Sequence, residues 1–316
     1  MRKYLCLLGL ISTVASLSLF LFACRDSNSS ADPACTTSSA SSPASSSGLG
    51  TVREDHVFIV LEENHSVADV IGNASMPYLN RLATTYSYAQ GYYADTHPSI
   101  GNYLMLTTGQ IITNDDTSSA EVSVDNIVRH LISAGKTWKE YSENLPHVGY
   151  TGGDANGYTE HHNPLSYLSD VRGSSAEAQN LVPFTQLAID LARQDLPNYA
   201  FIVPDNNDDA HDGTLAQADS WLQQNIDPLI QSSEFNRPGA GLLIITFDES
   251  EDSDTAGGGG HVAWVVVGAD VKKGYVSSTC YKHENTLRFM AKTLGLTDFP
   301  GAAESAADMD EFLSGN

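Results

Sequence analysis

The sequence predicts a three-layer α/β/α fold around a central, mostly parallel sheet, and three observations carry that expectation. Four short runs are almost continuously apolar: His56–Leu61, Tyr199–Val203, Leu242–Phe247 and Val262–Val267. Strands covered by helices on both faces read this way, whereas a strand with one wet face alternates. Stretches of helical spacing separate the runs, and right-handed crossovers then distribute those helices over both faces. Acidic clusters fall directly after the first three runs, at the carboxyl ends of strands, where open α/β sheets place their ligands.

Taken in chain order, the first 50 residues stand apart from this pattern. Arg2 and Lys3 precede an apolar stretch from Leu5 to Ala23 that ends in Leu21-Phe22-Ala23-Cys24. This resembles a bacterial lipoprotein signal, cut before Cys24, whose thiol then carries lipid. We therefore expect residues 1–23 to be a lipoprotein-type signal peptide and the protein to be an exported cell-envelope lipoprotein anchored at Cys24. A secreted or periplasmic protein with ordinary signal cleavage is the alternative. Residues 24–50 are rich in Ser and lack aromatic residues, so they cannot bury enough surface to fold and read as a flexible tether. Whether Cys35 in that tether pairs with Cys280 stays open.

Residues 51–316 have the length of one large α/β domain. The helices expected between its strands are 76–85, 124–134, 181–193, 214–232 and 283–294. A further helix is expected to begin after Pro98-Ser99 and stop at Gly109. With 16 Lys+Arg against 39 Asp+Glu the chain has a formal net charge of −23. Such a charge repels nucleic acid and anionic lipid, so neither is expected as a partner, apart from the membrane reached through the N-terminal anchor.

The acids after the strands are Glu62-Glu63-Asn64, Asp205 to Asp212, and Asp248-Glu249 with Glu251-Asp252. Three such clusters on one edge repel one another unless a cation holds them, so a metal site is expected there. Ser99, at a helix start, is either an N-cap or a nucleophile, because free N–H groups and the helix dipole suit a phosphate at that place. From these residues alone the N-cap is the expected reading.

Glu63-Asn64, Pro98-Ser99-Ile100-Gly101-Asn102-Tyr103-Leu104, Asp208-Asp209-Ala210-His211-Asp212 and Thr246-Phe247-Asp248-Glu249 resemble the phosphoesterase family. That family contains bacterial and fungal acid phosphatases and non-specific phospholipases C, within the alkaline-phosphatase-like superfamily. The resemblance spans nearly all of residues 55–295. It implies an alkaline-phosphatase-like fold and Ser99 as nucleophile. It also implies Glu63, Asn64, Asp248 and Glu249 as metal ligands together with Ser99, and His211 and Asp212 near the phosphate. His261 stands where the superfamily often puts an active-site His, and Glu160-His161-His162-Asn163-Pro164 resembles a segment of the phosphatase-like members. Asn102, His162, His261 and Asp212 are thus expected to bind substrate, and His211 to act with Ser99 in catalysis.

There are departures from the phospholipase pattern. Ser250-Glu251-Asp252 follows Asp248-Glu249, and a glycine run appears only at 257–260. These favour a metal-dependent phosphatase that cleaves small phosphate monoesters through a phosphoserine. A phospholipase C-type phosphodiesterase and a non-catalytic cation- or carbohydrate-binding surface lipoprotein are the alternatives. The oxygen-rich ligand set suits one Ca²⁺, Mg²⁺ or Mn²⁺ better than Zn²⁺. No obligate protein partner is expected. His56, His130 and His147 are given no role, His65 and His97 are expected only to shape loops, and His283 is a cap or a supporting group.

Overall fold

The computed structural model describes residues 52–315, so the expected signal peptide and the whole of the tether lie outside the described residues. One sheet is built from β1 (His56–Glu62), β2 (Ser87–Tyr93), β3 (Trp138–Ser142), β4 (Leu181–Pro183), β5 (Tyr199–Val203), β6 (Gly241–Phe247), β7 (Trp264–Gly268) and β8 (Tyr275–Lys282). Their spatial order is β4-β3-β5-β1-β6-β7-β2-β8. Only β7 runs against its neighbours; it is antiparallel to both β6 and β2, and the other pairs are parallel.

The longer helices are α1 (Pro77–Thr85), α2 (Ile100–Thr108), α3 (Ile127–Ser133), α4 (Gln186–Arg193), α5 (Leu215–Asn225), α6 (Asp227–Gln231) and α7 (His283–Thr293). Among the described residues none is long and apolar enough to cross a membrane. Two expected helices are divided. Residues 181–183 pair with β3 as a strand, because Pro183 cannot sit inside a helix, and the helix starts only at Gln186. Asp227-Pro228 opens a new helix after α5, for the same reason.

Caps come from near and far. Asn126 accepts the Arg129 N–H at 3.0 Å, and Thr214 accepts that of Gln217 at 3.2 Å. The start of α1 is capped from another helix: Asp219 of α5 accepts the N–H groups of Tyr78 and Leu79, both at 2.8 Å. Helix α2 has every residue buried, and it stops at Gly109, whose φ of 68° is the left-handed conformation glycine adopts without strain.

This topology positions the site. Because β1, β2, β3, β5 and β6 point the same way, their carboxyl ends collect at one edge. There they release Glu63, Asp95, Glu143, Pro204 and Asp248. Strand β7 begins at that same edge, so His261 and Val262 arrive there from the opposite direction. An antiparallel neighbour needs no crossover helix, which leaves residues 248–263 free to form a loop over the edge.

Candidate active site

Glu63, just past β1, is fully buried. Its Oε2 accepts the Ser99 hydroxyl at 3.2 Å, and its Oε1 accepts the Tyr103 hydroxyl. The His162 Nε2 lies 3.3 Å from that same Oε1. Ser99 and Tyr103 are four residues apart at the start of α2, so the helix presents both hydroxyls on one face. Ser99 makes no side-chain capping bond. Its hydroxyl faces Glu63, and Asp248 and Glu249 are also within its hydrogen-bonding reach.

The acids after β6 complete the cluster. Asp248 is fully buried; its carboxyl takes the N–H groups of Asn64 and Glu249, while its Oδ2 has no hydrogen bond. The Glu249 Oε2 accepts Asn102 Nδ2 at 3.2 Å and lies 3.1 Å from His97 Nδ1. Asn102 also holds the approach to the helix, since its Oδ1 accepts the N–H groups of Asp95 and Thr96. The Ile100 N–H is taken by Asp116 Oδ1 at 3.0 Å, so the first turn of α2 has fewer free donors than its sequence suggests.

A turn of glycines backs this arrangement. Ala94 and Gly259–Gly260 exchange backbone hydrogen bonds at 3.1 and 2.9 Å. A Cβ on Gly258 would stand 2.1 Å from the Asp95 carbonyl oxygen, and one on Gly259 would stand 2.3 Å from that of Thr96. The chain leading to Ser99 thus lies against bare backbone.

The charges are out of balance. Burial raises the carboxyl of Glu63 well above the usual range, and Asp248 and Asp209 push it further. Burial does the same to Asp248 and, with the Asp248 charge, to Glu249. Burial also lowers His162, so its ring is neutral and offers the acids no positive charge.

The residues present fit a cation. One side-chain atom of Asn64 faces Asp248 Oδ1 at 3.2 Å and touches Glu63 Oε2. Taken as amide nitrogen, it donates to both carboxyls. Taken as oxygen, it joins two carboxylate oxygens around one point, and the amide nitrogen then donates to Glu249 Oε1 at 3.4 Å. The second orientation is the one a cation among these oxygens would hold, and it agrees with the orphaned Oδ2 of Asp248. Two groupings with ligand atoms all within 4.8 Å of one another flank this centre: Glu63, His162 and Asp209 on one side, and His97, Glu249 and Asp252 on the other. Neither contains Asp248, which joins the cluster through Ser99 and Asn64.

The sequence-derived set is therefore brought together in part. Glu63, Asn64, Ser99, Asn102, Asp248 and Glu249 form one network, and His162 adjoins it. The ring of His162 stacks on Tyr103 with centroids 5.1 Å apart. The His211 ring lies 6.0 Å from that of His162 at the more exposed rim, with its Nδ1 2.9 Å from Asp212 Oδ1. Asp212 stands in solvent and touches the network only through His211. His261 stacks on Tyr93 and gives its Nε2 to the Gln90 carbonyl at 2.6 Å, which turns that nitrogen away from the acids.

Three residues not singled out as site residues from the sequence also stand here. Asp209 is buried 3.6 Å from the other ring nitrogen of His162, with its Oδ2 unpartnered. Tyr103 and His97 contact Glu63 and Glu249. Tyr103 was readable as the position one helical turn beyond Ser99. His97 and Asp209 carry no spacing signal, because the loops that hold them are irregular.

Comparison with known proteins agrees with this geometry. The model of the phosphoesterase family matches residues 73–297. A phosphatidylinositol-3-phosphatase of Mycobacterium tuberculosis is 33% identical over 243 residues, covering 76% of this chain and 77% of that protein. A probable acid phosphatase of Kluyveromyces lactis is 32% identical, covering 73% of this chain. An acid phosphatase of Aspergillus fumigatus is 29% identical, covering 79%. The chain spans only 56% and 57% of those two fungal proteins. Among solved structures, a Vibrio parahaemolyticus protein of the alkaline phosphatase superfamily superposes with a TM-score of 0.58 at 12% identity, covering 78% of this chain and 68% of that one. The phosphonate monoester hydrolase of Agrobacterium radiobacter gives 0.53 at 13%, covering 83% and 78%. The chain belongs to the phosphoesterase family and has the alkaline-phosphatase-like fold.

Proposed function

We propose that this phosphoric ester hydrolase cleaves phosphate monoesters through a phosphoserine on Ser99, with Glu63, Asn64, Ser99, Asp248 and Glu249 as the ligands of one hard divalent cation. The observation that carries the proposal is the Ser99 hydroxyl, buried against Glu63 beside carboxyls that lack countercharge. The names of the relatives, acid phosphatase and phosphatidylinositol-3-phosphatase, support the same reaction class.

When bound, the cation supplies the positive charge that lowers the pKa of the serine hydroxyl and balances the phosphate oxygens. The rest falls to this chain's own side chains. Glu63 orients the Ser99 hydroxyl, and Tyr103 and Asn102 fix the carboxyls of Glu63 and Glu249. The Ser99 oxygen bonds to phosphorus as its proton passes to Glu63 Oε2 and the ester P–O bond breaks. His211, at the rim with Asp212 hydrogen-bonded at its Nδ1, gives its proton to the departing alcohol oxygen. Water then cleaves the phosphoserine, giving its proton to His211 while Glu63 returns its proton to the Ser99 oxygen, and phosphate leaves. His162 stays neutral against Tyr103 and shapes the floor of the site.

In the cell we propose an exported lipoprotein anchored at Cys24 that acts on small phosphate esters without an obligate protein partner. The leader sequence supports that placement. Detergent partitioning of the wild type and of Cys24→Ser tests it.

The decisive experiment compares p-nitrophenyl phosphate with p-nitrophenyl phosphorylcholine, with and without chelator. The monoester should turn over faster, chelator should abolish activity, and Ca²⁺, Mg²⁺ or Mn²⁺ should restore it. Ser99→Ala should lower kcat at least about 1,000-fold while the fold persists, since the loss of a covalent nucleophile is among the largest single effects. Near-normal monoester turnover by Ser99→Ala would remove the phosphoserine from the mechanism.

A further inference from the structure

Strand β8 closes one side of the sheet, and among the described residues β2 is the only strand that pairs with it. An edge strand offers unpaired N–H and C=O groups to any passing chain, and proteins commonly guard it with charge, proline or a covering segment. From Tyr275 to Tyr281 this strand carries neither charge nor proline. Val276 is 53% exposed, and Ser278 and Thr279 also stand in solvent.

A second, independent observation points to what covers it. Cys280, near the end of β8, is half-buried and disulfide-bonded. It lies opposite Gly91 of β2, which brings no side chain to that place. Within one chain its partner is Cys6, Cys24 or Cys35, all outside the described residues. Cys6 falls in the expected signal peptide and Cys24 is the residue expected to take lipid, which leaves Cys35. The chain is long enough to make that bond. Strand β8 runs parallel to β1, on the far side of β6, β7 and β2. Strand spacings of about 4.8 Å and rises of about 3.3 Å per residue put Cys280 roughly 25 Å from the start of β1. The chain from Cys35 to Val52, fully extended, reaches about 56 Å.

We propose that Cys35 is joined to Cys280 by a disulfide that fastens the Ser-rich segment along the open side of β8. Each thiol gives up its hydrogen as the S–S bond forms. The two electrons and two protons pass to the disulfide of an exchange partner in an oxidising compartment, which leaves as a dithiol. The bond therefore rests on the export proposed above. It cuts the free spacer short, because only residues 25–34 separate Cys24 from it. It also sits close behind the site. Lys282, two residues on, holds Asp95 with its ammonium at 2.6 Å, and His283 Nε2 donates to the Asp248 carbonyl at 2.6 Å. The leader is thus fastened on the flank that borders the Ser99 centre, although the described chain starts at the opposite edge of the sheet.

Peptide mapping of the full-length protein tests the pairing. Free thiols are blocked with N-ethylmaleimide before any reductant, and the digest is read by mass spectrometry. One linked pair should hold Cys35 and Cys280, and reduction should separate it into two peptides. Cys35→Ser should leave Cys280 open to the reagent, and Cys280→Ser should do the same for Cys35. A protease site placed at residues 44–46 should give cut protein that keeps its 24–35 portion until reductant releases it. The mapping is run on protein recovered from the cell envelope and on the same protein oxidised with glutathione. A pair that forms with glutathione but is missing from the envelope sample upholds the pairing and counts against export. Cys280 alkylated in both samples, bonded to Cys24, or bonded to Cys280 of a second copy would overturn it.

Discussion

Asp190 and Asp248 are both buried aspartates, and they live in opposite electrostatic worlds. Asp190 on α4 accepts the Lys139 ammonium, the Tyr141 hydroxyl at 2.7 Å and Gln186 Nε2 at 2.8 Å. Asp248 meets two backbone N–H groups and a serine hydroxyl, and its nearest charged neighbours are other acids. The first is a solved packing problem: charge removed from water and given a cation and neutral donors. The second is left unsolved by the chain itself. Folding energy alone would favour replacing such a group, and under the proposed function the difference marks where a cation would supply the missing charge.

The comparison can be broken most sharply at Asp248. Asp248→Asn should cost at least about 100-fold in turnover, the scale of removing one preorganised electrostatic group. In chelator the same variant should be more resistant to denaturant than the wild type, because one of several repelling buried charges is gone. A variant that is both inactive and less stable in chelator would mean that Asp248 is already compensated. Asp190→Asn should do the reverse. It should lose about 1–3 kcal/mol in urea unfolding, because Lys139 and Tyr141 keep a weaker partner, while specific activity stays unchanged. Adding Lys139→Met should recover part of that loss if the ion pair is its source. The smallest effect sharpens the contrast through pH. Burial raises Glu140 on β3 from 4.5 to about 8. The folded state therefore holds a proton that the unfolded chain releases. Its stabilising share is complete below about pH 4.5 and is lost as pH rises through about 8. Glu140→Gln should flatten the fall in unfolding free energy across that interval, and an unaltered slope would assign it to other carboxyls.

The four strands legible in the sequence are β5, β1, β6 and β7, and they are contiguous at the middle of the sheet. Centrality explains this, since a strand covered on both faces has to be apolar throughout. Strand β3 reads Trp-Lys-Glu-Tyr-Ser and buries Glu140 against the Leu165 N–H, so its polar letters conceal a buried strand. Strand β8 buries only Ser277 and Tyr281, and β2 is interrupted by a register shift between Ala89 and Gly91. The site followed the same logic. Acids directly after central strands were readable from position alone. Asp209, His97 and Tyr103 reach the centre through loop geometry and helix phase, and they become visible only once the Asp205–Asp212 loop and α2 are placed.

The glycine turn at 257–260 limits how this scaffold can diversify. Gly257, Gly258 and Gly260 have positive φ, and a side chain at 258 or 259 would collide with main chain rather than with another side chain that can move aside. Random mutagenesis should therefore find this turn as intolerant as the acids, although no glycine there contributes a reacting atom. A few residues earlier, Glu251, Asp252 and Ser253 are exposed. A library built to change which alcohol the enzyme releases belongs at 251–253, where insertions alter the rim, while the four glycines hold the chain leading to Ser99 as a fixed template.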